Sequence, residues 1–172
     1  SSQSRGLGDV YKRQLLQLSG SIVSIDAMGC QKAIAQQILD QKADYFLAVK
    51  ENQASLFSQL KDSFVKEGNE MVYQTADYSG NYNQVIEYEV EITSNLKWIE
   101  VKEEWPGLQT LIQVKTNRKQ KDNTTEHRCY ISSKNLLSAE EAYQLARNHW
   151  GVENRLHCLL YTSDAADDSG CV

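Results

Sequence analysis

The segment Gly20–Gly68, GSIVSIDAMGCQKAIAQQILDQKADYFLAVKENQASLFSQLKDSFVKEG, decides the fold class. Gly20–Asp26 is a short apolar, β-branched run that ends in an acid, the pattern of a buried strand. Gln31–Gln41 follows with Ile34 and Ile38 four apart and Ala35 and Leu39 beside them, which predicts an amphipathic helix. Asp44–Val49 is a second apolar run of strand length. Asn52 then stands as a helix N-cap, Leu56, Phe57, Leu60 and Phe64 make one helical face, and Gly68 closes it. The order strand–helix–strand–helix predicts a parallel pair inside an α/β layer.

Downstream the period changes. Gln84–Ile92 sets Val85, Glu87, Glu89 and Glu91 against Ile86, Tyr88, Val90 and Ile92. Leu96–Val101 holds a short strand candidate, Trp105-Pro106-Gly107 a turn, and Leu108–Thr116 a further alternating run. Arg118–Thr125 reads as a polar, basic hairpin loop and Glu126–Ser132 as another strand. Residues from about 71 to 133 are therefore expected to form an antiparallel β unit with solvent on one side. Trp98 and Trp105 are read as packing residues of this unit or of the core. Ser138-Ala139-Glu140-Glu141 is a capping box that opens a last helix.

The whole chain has 172 residues, 41% hydrophobic and 24% charged, with a formal net charge of −5. This is ordinary globular composition. No stretch approaches the length of a membrane span, and no signal peptide is visible. The acidic balance argues against a generally basic nucleic-acid coat but leaves room for a local basic groove. Cys30 and Cys129 lie in no CxxC or zinc spacing and are expected to be reduced thiols of a cytoplasmic protein.

Two carboxylates stand out. Asp26 falls at the carboxyl end of the first strand, where open α/β sheets collect ligands. It is either a metal ligand or an N-cap for the next turn. Glu153 neighbours His149, Trp150, Leu156 and His157 on a mostly apolar helix face. A buried carboxylate there needs a metal, a cation such as Arg147, or a histidine partner. His149 and His157 are candidate ligands or packing residues. A strand-end Asp and a distant helical Glu suit a hard divalent cation such as Mg2+, which binds through one or two carboxylates plus substrate phosphates. Spacing alone does not bring the two together.

Four stretches in order carry a resemblance: SIDAMGCQKAIAQQILDQKADYFLAVKENQ (24–53), WPGLQTLIQV (105–114), HRCYISS (127–133) and ARNHWGVENRLH (146–157). Together they resemble the DDE transposases of bacterial insertion sequences, in the subgroup of H-repeat-associated proteins. The resemblance spans nearly all of Leu15–His157. It implies an incomplete ribonuclease-H-like core with an antiparallel β insertion (about 71–133) before the final catalytic helix. It matches Asp26 to the family's second aspartate and Glu153 to its glutamate, both binding Mg2+ (or Mn2+). It matches Lys50, Asn52 and Gln53 to a K-x-N-Q motif and, with Arg147 and Asn154, implies DNA contacts. Each has a plainer alternative: Lys50 as a solvated strand-end lysine beside the Asn52 cap, Arg147 as an orienter or partner of the carboxylate. Arg118, Lys119 and Lys121 are either a DNA-facing cluster or a solvated loop. The implied partners are element ends and target DNA, with a homodimer in the full-length parent and a location in the bacterial cytoplasm, at the nucleoid when DNA-bound.

The sequence departs from that pattern at three places. Asn81-Tyr82-Asn83-Gln84 stands where the family has a His-Gly-Arg motif. The family's first aspartate belongs in an upstream strand that nothing before Leu15 supplies. Cys158 stands where the family has Trp. The termini have their own signature: one back-translation of Asp9–Gln14 (GAT GTG TAT AAG AGA CAG) is nearly the reverse complement of one for Cys158–Ser163 (TGT CTC TTA TAC ACA TCT). The repeat resembles the transposon mosaic end used to attach sequencing adapters. Residues 1–14 and 158–172 are accordingly expected to be adapter-derived, and residues 15–157 to be a partial transposase catalytic domain. The expected parent activity is metal-dependent cleavage of DNA at an element end and joining of the freed 3′-hydroxyl to target. The expectation for the chain itself is inactivity. The alternatives are a non-catalytic DNA-binding remnant and a metal-dependent nuclease without joining activity.

Overall fold

The computed structural model describes residues 18–79, 84–119 and 123–162, with the backbone alone at 79, 84 and 151–162. Six strands form one mixed sheet: β1 (Ile22–Ile25), β2 (Asp44–Val49), β3 (Met71–Ser79), β4 (Gln84–Thr93), β5 (Thr110–Lys119) and β6 (Thr124–Ser132). Their spatial order is β1-β2-β6-β5-β4-β3. β1 and β2 are parallel, and every other neighbouring pair is antiparallel. Among the described residues three α-helices accompany the sheet: α1 (Lys32–Asp40), α2 (Ala54–Glu67) and α3 (Ala139–Thr162). The architecture is mixed α/β, as the period change in the sequence predicts. The β unit is not a separate layer, because β6 pairs along β2 from Phe46↔Ser132 to Val49↔Cys129 and continues the same sheet.

β2 sits inside the sheet and is buried on both faces, which explains its unbroken apolar run. Tyr45, Leu47 and Val49 join Cys129, Ile131 and Leu111 under α1 and α2. Phe46 and Ala48 join Tyr130, Ile112 and Val114 under α3. The period of two along each strand thus feeds two cores, one on each side of the sheet. α1 contributes Ala35 and Ile38, and α2 contributes Leu56, Leu60 and Phe64. Gly68 ends α2 at φ 76°, where its amide donates to the carbonyl of Phe64. A side chain there would be strained. The Ser138–Glu141 capping box forms reciprocally, with each backbone amide donating to the other's side chain at 3.1 Å.

Two local expectations are corrected. Leu96–Val101 is not a strand. Ile99 N donates to Leu96 O, and a 3-10 turn runs over Glu100–Glu104. Ile99 drops into the core while the half-buried Trp98 turns outward, its indole N–H bonded to Glu67 at 2.8 Å. Trp105, by contrast, is a core residue. Asn52 is not the N-cap of α2. A 3-10 turn over Glu51–Gln53 precedes that helix, and the Asn52 amide is spent elsewhere.

Candidate functional site at the carboxyl edge of the parallel strands

Parallel pairing puts the carboxyl ends of β1 and β2 on one edge of the sheet, and with them Asp26 and Lys50. β6 runs the other way, so its earlier residues, including Arg128, reach the same edge. Alternation places Ser24, Ala48 and Tyr130 on the face covered by α3. That helix closes the site: His149 Nδ1 lies 3.2 Å from Ser24 Oγ. The result is an open cleft of about 560 Å3 whose walls include Asp26, Lys50, Asn52, Arg128, His149 and Trp150.

Of the two roles open to it in the sequence, Asp26 takes the cap with one oxygen and leaves the other oxygen over. Its Oδ1 accepts the amides of Met28 at 3.0 Å and Gly29 at 3.2 Å and so caps the 3-10 turn Ala27–Gly29. Its Oδ2 accepts no hydrogen bond among the described residues and is left as a hard oxygen donor, which suits Mg2+ or Mn2+. Gly29 is needed for this turn, since a Cβ there would overlap the Cγ2 of Ile25. Among the described residues, no three His, Cys, Asp or Glu side chains gather as a metal cluster.

Asn52 and Gln53 hold the Asp26 turn in place. The Asn52 side-chain amide donates to the carbonyl of Ala27 at 2.5 Å, and that of Gln53 to the carbonyl of Cys30 at 2.9 Å. Two adjacent residues after β2 therefore clasp both ends of the turn after β1. Lys50 is exposed and makes no ion pair among the described residues.

Arg147 is placed away from the cleft. It pairs with Asp77 of β3 at 2.9 Å and donates to the Tyr88 hydroxyl at 3.2 Å. Lys119, at the hairpin end, pairs with Glu87 at 2.5 Å, and Arg118 beside it is exposed. Glu153, Asn154 and His157 lie on the helical backbone of α3, which runs to Thr162. Their side chains, Lys121 and Asn81-Tyr82-Asn83 fall outside the described residues.

Arg128 was not singled out in the sequence. Its Nε donates to Glu126 Oε1 at 2.8 Å, and its guanidinium stacks over the Trp150 ring at 4.5 Å. Trp150 is itself fixed, by its indole N–H on the Tyr130 hydroxyl at 2.9 Å and by stacking on Tyr88. Burial works against the Arg128 charge, but Glu126, with a smaller share from the Tyr130 hydroxyl, outweighs it and raises the pKa, so the group stays a cation. The signal was present in EHRCYIS: Arg128 is two residues before Tyr130 and so shares its face.

The fold and cleft define a mixed α/β domain with a carboxylate and basic side chains at the carboxyl edge of its parallel strands. Residues 3–164 match the family described as Transposase DDE domain, and the chain belongs to that family. It is 37% identical over 159 residues to the protein named Putative transposase YncI of Escherichia coli O157:H7, covering 85% of this chain and 39% of that one. It is 35% identical over 162 residues to the H repeat-associated putative transposase YhhI of Escherichia coli strain K12, covering 90% and 43%. The chain thus spans about two fifths of the length of these curated relatives.

Proposed function

We propose that the chain is part of the catalytic domain of a DNA transposase with a ribonuclease-H-like core. Asp26 and Glu153 hold a divalent cation, Mg2+ or Mn2+, at the carboxyl edge of β1 and β2. The observation that carries this is the docking of α3: His149 meets Ser24 of β1, and Trp150 stands in the same cleft as Asp26. Glu153 is the residue three positions beyond Trp150, and positions three apart share a helix face. When bound, such a cation activates a nucleophile and stabilises a leaving oxygen in phosphodiester displacement.

The residues of the chain then have distinct tasks. Asp26 offers one oxygen to the cation while the other stays locked to two backbone amides, which fixes the carboxylate plane. Asn52 and Gln53 act as positioning residues through their clasp on that turn, a role the K-x-N-Q match had assigned to DNA. Lys50 contacts the DNA backbone as a point charge. Arg147 supports the β3–β4 side of α3. The full-length parent cleaves an element end and joins it to target DNA, as a homodimer. The adapter reading of residues 1–14 and 158–172 rests on their back-translated inverted repeat alone, since the family match over 3–164 runs into both stretches; the 172-residue chain neither cleaves nor joins.

The test is a cleavage assay on the full-length parent with labelled element-end DNA and Mg2+. Asp26→Asn and Glu153→Gln should each lower cleavage by orders of magnitude while leaving DNA binding in place. Normal cleavage by either variant would contradict the assignment. Strand transfer by the 172-residue chain would contradict its proposed inactivity.

A further inference from the structure

The geometry points to Arg128 as the residue that grips a DNA phosphate in the cleft, a role built on the DNA-transposase reading above. Three features converge on it. The first is place: Arg128 shares the cleft with Asp26 and Lys50, brought there by the antiparallel run of β6 along β2.

The second is rigidity. The guanidinium is stacked on Trp150, and Trp150 is anchored on both Tyr130 and Tyr88. A long cationic side chain loses rotamer freedom when it engages a ligand; here much of that cost is met in advance by packing. The Trp150 ring has Tyr88 and Arg128 against it, so it serves as a prop for the cation.

The third is the donor pattern. Glu126 engages Nε and the Tyr130 hydroxyl is a second, neutral partner, so the fork of terminal nitrogens that matches two phosphate oxygens is not spent on a carboxylate. The Arg128 side chain keeps 31% of its surface exposed beside the cleft. Glu126 holds the guanidinium by one edge and leaves a charged group with solvent access. An arginine so held suits the phosphodiester backbone, not a base edge, and implies binding without sequence preference at this contact.

The experiment is fluorescence anisotropy of the 172-residue chain with a short fluorescein-labelled duplex, without divalent metal, over a series of KCl concentrations. Arg128→Gln should weaken binding roughly tenfold and lower the slope of log K against log salt by about one. Arg128→Lys should keep the slope and lose a few-fold in affinity, because a lysine cannot make the two-pronged contact. Lys66→Ala, at an exposed position of α2, should change neither. Circular dichroism melts of each variant establish that the fold is kept; should Arg128→Gln not fold, the lysine variant decides. Wild-type affinity and slope in Arg128→Gln, or wild-type affinity in Arg128→Lys, would overturn the role of Arg128 and leave the DNA reading standing. No duplex binding by the unaltered chain would overturn both.

Discussion

The two ends of the sheet are built from different materials. At the β1–β2 end the strands are short and parallel, and polar residues appear where they stop: Asp26, Lys50, Asn52 and Gln53. At the β3–β4–β5 end the strands are long and antiparallel, and charge runs along one face. There Lys115 lies 3.0 Å from Glu89 and 2.9 Å from Glu91, and Lys119 pairs with Glu87. The opposite face carries Tyr88, Val90 and Ile92 into the core beneath α3. The antiparallel end neutralises its own charges within the sheet. The parallel end leaves a carboxylate oxygen and a lysine without partners among the described residues. Function is expected where polar groups remain unspent.

The largest expected effect concerns the two thiols on the α1–α2 side of the parallel end. Burial pushes Cys30 and Cys129 up to about 12 from an ordinary 9.0. At pH 8 that leaves about a thousandth of the thiolate of a free cysteine, and access is closed as well. Site-mapped alkylation by mass spectrometry should find both unmodified in the native state and both modified in denaturant. Ready native labelling at either site would mean that this side opens independently of the antiparallel end.

Next is the strand that joins the two ends. Leu47 is fully buried in β2 between β1 and β6. Leu47→Ala should cost about 2–5 kcal/mol. Because β2 and β6 feed both cores, urea unfolding should remain a single transition at a lower midpoint. Two separate transitions would break the comparison into two independent units.

A smaller effect is expected at the clasp. Asn52→Ala removes the donor to Ala27 O and should cost about 1 kcal/mol. In the full-length parent the same substitution should raise the Mg2+ concentration needed for cleavage and leave DNA affinity nearly unchanged. Lost DNA affinity with unaltered metal dependence would return Asn52 to the DNA-contact role.

The smallest effect belongs to the charged ladder. The hydrogen bond from Lys115, with a second from Gln74, holds Glu89 below the usual glutamate range. A lowered pKa contributes stability above the unfolded-state value, and that stability is lost as pH falls through the folded one. Lys115 moves the other way: burial lowers its pKa, but the bonds to Glu91 and Glu89 outweigh burial and raise it. Its contribution is present at neutral pH and lost only on strong alkalinisation. Glu89→Gln should therefore flatten the acid limb of the melting temperature against pH, by the modest amount typical of half-exposed pairs. An unchanged acid limb would mean that the ladder is decorative.

Much of this was legible because the local signals agree. The runs GSIVSID and DYFLAV, the Ile34/Ile38 spacing and the Ser138–Glu141 box each state one element, and each forms. β3 was not resolved as a strand, because Met71 and Val72 are exposed on an edge and the alternation is weak. The Leu96–Val101 apolar run misled because Ile99 is buried from a turn, which period alone does not distinguish from a strand. The pairing of β6 with β2 was out of reach: it joins residues eighty or more positions apart, and nothing in either strand names its neighbour. That pairing brings Arg128 to the cleft, so the missed contact and the missed site residue have one cause. Asp26 was legible as a candidate but not as a residue that caps with one oxygen and keeps the other, since that division depends on the turn geometry.

The most direct test of the central claim is Mn2+ titration of the isotopically labelled 172-residue chain, followed by paramagnetic broadening of its amide signals. Mn2+ held by Asp26 should broaden Met28 and Gly29 first, with the amides around Lys50 and Trp150 next, and Asp26→Asn should abolish the effect. Broadening confined to the Glu87–Glu91 ladder, or unaltered in Asp26→Asn, would contradict a metal site at the carboxyl edge of the parallel strands.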